Sequence, residues 1–179
     1  IIRRQTGGGA VYHDTLGEVT YSLIAPLDPF PANVLKSYEI ICEDIISALG
    51  QLGLSASFAP VNDILVNGQK ISGNAQTRRN GIFLQHGTIL YNVDVEKMFS
   101  LLNVNEIKLT DKLIKSVKKR VTSISDQSSA SMQDLQQALE FGFSRNREIE
   151  IADYSDLELS RAAELANEKY RSEAWNFKL

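Results

Sequence analysis

Asn62-Asp63-Ile64-Leu65-Val66-Asn67-Gly68-Gln69-Lys70-Ile71-Ser72-Gly73 is the stretch whose reading decides the fold. Two short β-branched and aliphatic runs flank Asn67-Gly68, a dipeptide that accepts positive φ at both central positions of a two-residue turn. The chain must therefore fold back on itself here as an antiparallel hairpin. Lys70 follows the turn by two residues, and Asn62-Asp63 stands across the hairpin from it. Gly73-Asn74-Ala75 comes next, small residues that let a ligand approach the backbone closely. A lysine on a hairpin is ordinarily a solvated charge. Beside an aspartate and small residues it can also serve as a point charge on a carboxylate or α-phosphate, and the aspartate can hold Mg²⁺.

Working outward, residues 82–91 alternate, with Ile82, Leu84, His86, Thr88 and Leu90 on one face. Upstream, Val34, Tyr38, Ile41, Ile45, Ala48 and Leu52 recur at helical spacing, between Pro31 near the start and Gly53 as a C-terminal cap. Cys42 lies on the flank of that stripe and reads as a buried structural thiol. Residues 19–25 alternate and predict another strand, and residues 1–5 predict a strand running into a glycine loop. Downstream, Asp94 caps a short helix and Thr110-Asp111 opens a lysine-rich one. Residues 127–130 form a polar joint, and 131–144 predict a helix with Met132, Leu135, Leu139 and Phe143 inward. Ile149-Glu150-Ile151 predicts a short strand, and 155–172 a last helix. Together these predict an α+β fold, a mixed or antiparallel sheet flanked by helices.

The glycine loop is Arg3-Arg4-Gln5-Thr6-Gly7-Gly8-Gly9-Ala10-Val11-Tyr12-His13-Asp14. Three glycines in a row expose backbone N–H groups that suit an anion, and arginine supplies a planar fork for phosphate or carboxylate. The two histidines, His13 and His86, have no second His or Cys at metal-ligand spacing, which argues against zinc. Neither a Gly-x-Ser-x-Gly elbow nor a P-loop pattern is present.

With 179 residues, 43% of them apolar, one domain with a real core is expected. The net charge of −3 calls for neither nucleic acid nor a membrane surface. The single cysteine excludes an internal disulfide and fits a reducing cytoplasm. No run is long and apolar enough to span a bilayer. Lys108, Lys112, Lys115, Lys118, Lys119 and Arg120 form a basic run that reads as a solvated face or a docking surface for an acidic protein. The chain opens without Met, and an N-terminal piece is expected to be missing.

These motifs resemble those of the lipoate–protein ligases, in the wider biotin/lipoate ligase and lipoyl/octanoyl transferase family. The glycine loop is similar to their RR-x-[ST]-GGGAV-[YF]-HD signature, and 62–73 to their ND-[IL]-x-V-x-G-x-K-[IV]-SG segment. Gln85-His86-Gly87-Thr88-Ile89-Leu90, Lys115-Ser116-Val117 with Arg120-Val121-Thr122, and the Tyr170, Trp175-Asn176 close resemble further motifs in the same order.

The resemblance implies activation of lipoate by ATP to lipoyl-AMP, with Mg²⁺, and transfer to a lysine of an apo lipoyl domain. Such domains belong to 2-oxoacid dehydrogenase acyltransferase subunits or the glycine cleavage H protein. Lys70 is then the catalytic residue. Arg3, Gly9, Ala10, Val11, Tyr12, Asp63 and Lys70 would take the adenylate, and Arg4, Gly7, Gly8, His13, Lys70, Gly73 and His86 the lipoyl group. Asp63 would favour Mg²⁺. Residues 1–125 are expected to form a catalytic core lacking the family's N-terminal part, and 126–179 a helical segment of the same domain. The arrangement resembles the archaeal type, in which a separate protein supplies the accessory domain. Octanoyl or lipoyl transfer through a cysteine thioester is the alternative within the family, although its cysteine would fall where Asn62-Asp63 stands. An inert binding domain is the non-enzymatic alternative.

Overall fold

The structure, a computed structural model, describes residues 1–102 and 120–178, with backbone only at Val95 and Phe99. The helix expected from Thr110-Asp111, the motif Lys115-Ser116-Val117 and the basic residues 108–119 lie outside the described residues. The chain divides into two units, Gly8–Arg147 and Ile1–Gly7 with Glu148–Leu179.

The first unit is built on a five-stranded sheet in the order β1-β5-β4-β3-β2, every neighbour antiparallel. Its strands are β1 (Glu18–Pro26), β2 (Ala56–Ala59), β3 (Asp63–Val66), β4 (Gln69–Arg79) and β5 (Ile82–Leu90). The hairpin signal is realised: Asn67 and Gly68 take φ of 51° and 75° between β3 and β4. Asn80 and Gly81, at 53° and 75°, make the same turn between β4 and β5. The five strands pair antiparallel throughout, the second of the two arrangements expected.

Helix α1 (Val34–Gln51) packs its apolar stripe on one face of the sheet, burying Tyr38, Ile41, Cys42, Ile45, Ala48 and Leu49. Asn33 caps it, its side chain accepting from the Lys36 amide, so Pro31 lies ahead of the cap rather than in the first turn. Gly53, at φ 75°, ends the helix as expected. Helix α2 (Val95–Leu101) is capped by Asp94. A short α3 (Ile124–Gln127) starts at Ser123, and α4 (Met132–Ser144) at Ser131, each with a capping box. Leu135, Ala138 and Leu139 of α4 join α1, Ile64, Val66, Ile71 and Ile89 in one core.

In the second unit α5 (Asp156–Leu165) begins at Ser155 and runs into a π-helical turn, Ala166–Tyr170, followed by α6 (Glu173–Asn176). The expected strands at 1–5 and 149–151 do not form. The backbone of Arg3 is satisfied by side chains instead: its N–H donates to Asn176 Oδ1 at 2.8 Å and its carbonyl accepts from Trp175 Nε1 at 2.9 Å. Ile149 and Ile151 stay exposed with no partner strand among the described residues, where β-propensity alone does not organise them. Among the described residues no helix is long and apolar enough to cross a membrane.

Candidate functional site

Along a regular strand, residues three apart point to opposite faces. Lys70 and Gly73 are three apart, yet they share a face. Leu65 pairs with Lys70 and Ile64 with Ser72, so Ile71 is an extra residue on β4, a β-bulge. Ile71 and Ser72 both turn into the core as a result. From Gly73 onward the parity is reset, and Gly73 stands opposite Asp63.

That register brings Asp63, Lys70 and Gly73 together on the face of the sheet away from α1. Lys70 Nζ lies 2.6 Å from Asp63 Oδ1, with 41% and 32% of the two side chains exposed. A Cβ on Gly73 would stand 2.9 Å from Lys70 Nζ and 3.7 Å from Asp63 Oδ1, so the glycine leaves the space that the lysine head occupies. Ala75 and His86 pair across β4 and β5, with Ser22 of β1 beyond His86. His86 therefore lies on the same face as the Asp63–Lys70 pair, half-buried among small residues. This face offers a cation, a carboxylate and shallow uncluttered backbone, which suits an anionic or acyl ligand laid along the sheet.

Beneath it runs a chain of buried polar groups that the motif reading missed. Gln85 Nε2 donates to Tyr21 Oη at 2.8 Å, and Tyr21 Oη donates to Asn74 Oδ1 at 2.7 Å. Asn74 Nδ2 in turn reaches the Asn62 carbonyl at 2.9 Å, and Asn62 Nδ2 donates back to the Asn74 carbonyl. This clasp fixes the residue preceding Asp63. Burial pushes the Tyr21 hydroxyl far above its ordinary range, so it stays a neutral donor. The signal was present: Asn74, Gln76 and Gln85 are polar residues at inward strand positions, and buried polar groups come paired.

The glycine loop ends in a second cluster. Tyr12 Oη donates to Asp14 Oδ2 at 2.8 Å, and Lys97 Nζ of α2 reaches the same oxygen at 3.0 Å while lying 5.3 Å from the Tyr12 ring centre. Hydrogen bonds from Lys97, Tyr12 and the Leu16 amide hold the Asp14 carboxyl down at about 2. His13 Nδ1 meets Glu18, whose carboxyl is pushed up by burial and pulled back by His13. Gly8 takes φ 109°, and nothing lies within 4 Å of where a Gly9 Cβ would be. Ala10 and Val11 continue the loop, Val11 exposed.

In the terminal unit, Arg4 Nη2 and Nε donate to the Gly7 carbonyl at 2.7 and 3.2 Å, closing the start of the loop. Arg3 Nε donates to the Asn176 carbonyl at 3.4 Å. Cys42 is fully buried, within 3.6 Å of Asn74 Nδ2, and burial pushes its thiol up to about 12. Among the described residues no three His, Cys, Asp or Glu side chains gather to hold a metal. Asp63 offers one carboxylate, the donor set of an Mg²⁺ held mainly by substrate phosphates and water.

Comparison with known proteins gives concordant results. The model of the lipoyl protein ligase A/B catalytic domain matches residues 1–144. Octanoyltransferase LipM of Brevibacillus brevis is 32% identical over 99% of this chain and 74% of its own length. Lipoate–protein ligase 1 of Staphylococcus aureus is 35% identical over 99% of the chain, which spans only 53% of that protein. Among solved structures, the bi-partite archaeal lipoate protein ligase of Thermoplasma acidophilum, described with its E2 lipoyl domain, superposes with a TM-score of 0.88 at 32% identity. It covers 98% of this chain and 69% of its own. Lipoate–protein ligase A bound with ATP gives 0.82 at 30% identity, covering 98% and 70%.

Proposed function

The chain belongs to the lipoyl protein ligase A/B catalytic-domain family, and on that premise we propose that it is the catalytic domain of an ATP-dependent lipoate–protein ligase. The observation that carries this reading is the contrast between its only thiol and its Asp63–Lys70 pair. A thioester transferase needs a reachable thiolate. Cys42 is sealed in the core with a raised pKa, whereas Lys70 stands half-exposed on the ligand face.

In the first step a lipoate carboxylate oxygen attacks the α-phosphorus of ATP, and the bond to the bridging oxygen breaks to release pyrophosphate. In the second, the ε-amine of the acceptor lysine attacks the acyl carbon; the C–O bond to AMP breaks and the amine proton leaves. Both steps build negative charge on oxygen. The Lys70 ammonium answers that charge in each without giving up its proton, as electrostatic stabilisation requires. Mg²⁺, for which Asp63 is the ligand offered, neutralises phosphate charge when bound. The N–H groups of Gly9, Ala10, Val11 and Tyr12, with Arg3, are suited to the nucleotide. Gly7, Gly8, Gly73, Arg4, His13 and His86 are suited to the acyl arm.

Residues 126–179 are read as a helical extension of the catalytic domain. Likeness to a bi-partite ligase described with its E2 lipoyl domain supports a second polypeptide as a further partner, and apo lipoyl domains as acceptors. Octanoyl transfer remains the second reading, favoured by the larger share of the LipM relative that the chain spans.

Intact mass of an apo lipoyl domain, after incubation with this protein, lipoate and Mg·ATP, is the test. A lipoyl mass gain is expected that needs ATP, is lost in Lys70→Ala and persists in Cys42→Ala. A gain from octanoyl carrier protein that needs Cys42 and not ATP would overturn the ligase.

A further inference from the structure

Lys70 is held by its backbone on both edges. On one side it pairs with Leu65 of β3. On the other, β5 reaches only to Ile89 opposite Ser72. The gap is filled by residues 120–122: Lys70 N–H donates to the Arg120 carbonyl at 2.8 Å, and Thr122 N–H donates to the Lys70 carbonyl at 2.9 Å.

What fixes residues 120–122 is the helical turn that follows. Ile124 is fully buried, and the Ser123 N–H and Oγ donate to Asp126 Oδ2 at 3.1 and 2.6 Å. The turn ends on Gln127, whose Nε2 donates to Thr122 Oγ1 at 2.8 Å and whose Oε1 accepts from Asn67 Nδ2 at 2.8 Å. Asn67 is the first residue of the hairpin turn that carries Lys70. One amide therefore ties the hairpin tip to the segment that grips the lysine backbone.

We propose that Gln127 is a positioning residue for Lys70, acting through Thr122 and Asn67 on the backbone from which the lysine stem departs. The inference rests on the reading of Lys70 as the cation of the acyl-adenylate site. Asp63 holds the lysine head only until a phosphate or carboxylate competes for it. Once the head turns to ligand, four free torsions separate it from the chain, and the fixed backbone alone sets its origin. A displacement of about 1 Å at such a group is costly in rate and binding.

The test is the affinity of a non-hydrolysable sulfamoyl analogue of lipoyl-AMP, measured by calorimetry on the full chain. Lys70→Ala is expected to weaken binding. Gln127→Ala and Thr122→Val, which exchanges the hydroxyl that Gln127 reaches for a methyl, should each weaken it about two- to tenfold, the lower part of the range for coupled neighbours. In the Lys70→Ala background Gln127→Ala should add nothing. An equal loss in both backgrounds would mean general structural damage and would overturn the proposal, as would wild-type affinity in either Gln127→Ala or Thr122→Val. Wild-type affinity in Lys70→Ala itself would remove the reading on which the proposal stands.

Discussion

Single residues in this protein are chosen as much for what they leave out as for what they supply. Gly73 leaves room for the Lys70 head, and Gly87 leaves room for Asn74, whose Oδ1 would lie 2.2 Å from a Cβ there. Asp14 shows the opposite case, a side chain that gathers partners. Its carboxyl is held at about 2 against an ordinary 3.8, so its folded pKa is depressed. The clamp with Tyr12 and Lys97 is therefore fully present above about pH 4 and lost as pH falls from there toward 2. The ring resonances of Tyr12, followed by NMR, should stay constant from pH 7 to 5 and shift below 4. In Lys97→Met the shift should begin at higher pH. A Tyr12 titration centred near pH 6 would contradict the assignment.

Two helices come into backbone contact where α4 crosses α1. A Cβ on Gly142 would lie 2.3 Å from the Asp44 carbonyl oxygen and 3.0 Å from the Ala48 side chain, so backbone touches backbone. The Asp44 carboxylate, buried at that crossing, is answered by Arg147 Nη2 at 2.8 Å. Gly142→Ala must push the helices apart and should cost about 1–3 kcal/mol, read as a lowered midpoint in urea with an unchanged slope. An unaltered midpoint would refute the close crossing. The elements legible in the sequence were those with periodicity, a cap or a turn signal of their own: β1, α1, β5, α2, α4, α5 and the Asn67-Gly68 hairpin. The extension of β4 through Gly73, Asn74 and Gln76 was hidden, because these residues disfavour strands and are kept there by the site and its polar support. β2 was too short to show a pattern. The segments 1–5 and 149–151 had strand propensity, but no strand among the described residues pairs with them, and at Arg3 side chains take the backbone hydrogen bonds instead.

At the scale of the molecule, every buried apolar residue described lies between Tyr38 and Leu139, inside the sheet unit. α5, the π-helical turn and α6 bury none. Stability follows buried apolar area, so a polypeptide of residues 8–147 should keep a strand-rich circular dichroism spectrum and one cooperative melt. Non-cooperative melting of that polypeptide would show that the core needs the terminal segments. The candidate site divides along similar lines in its legibility. Lys70, Asp63, Gly73 and the glycine loop announced themselves through composition and spacing. Of the support beneath them, Asn74 and Gln85 left only the faint signal of polar residues at inward strand positions, and Tyr21 and Gln127 left none, because a hydrogen-bonded neighbour in space carries no spacing rule in sequence. The odd residue on β4 has a consequence for anyone who would rebuild this protein. It works like a frameshift in the pleat: remove Ile71, and everything on one side of it keeps its phase while everything on the other inverts. The hairpin is therefore a cassette whose length encodes the chemistry, and a graft that copied the lysine and its neighbours one residue short would carry the right letters facing the wrong way.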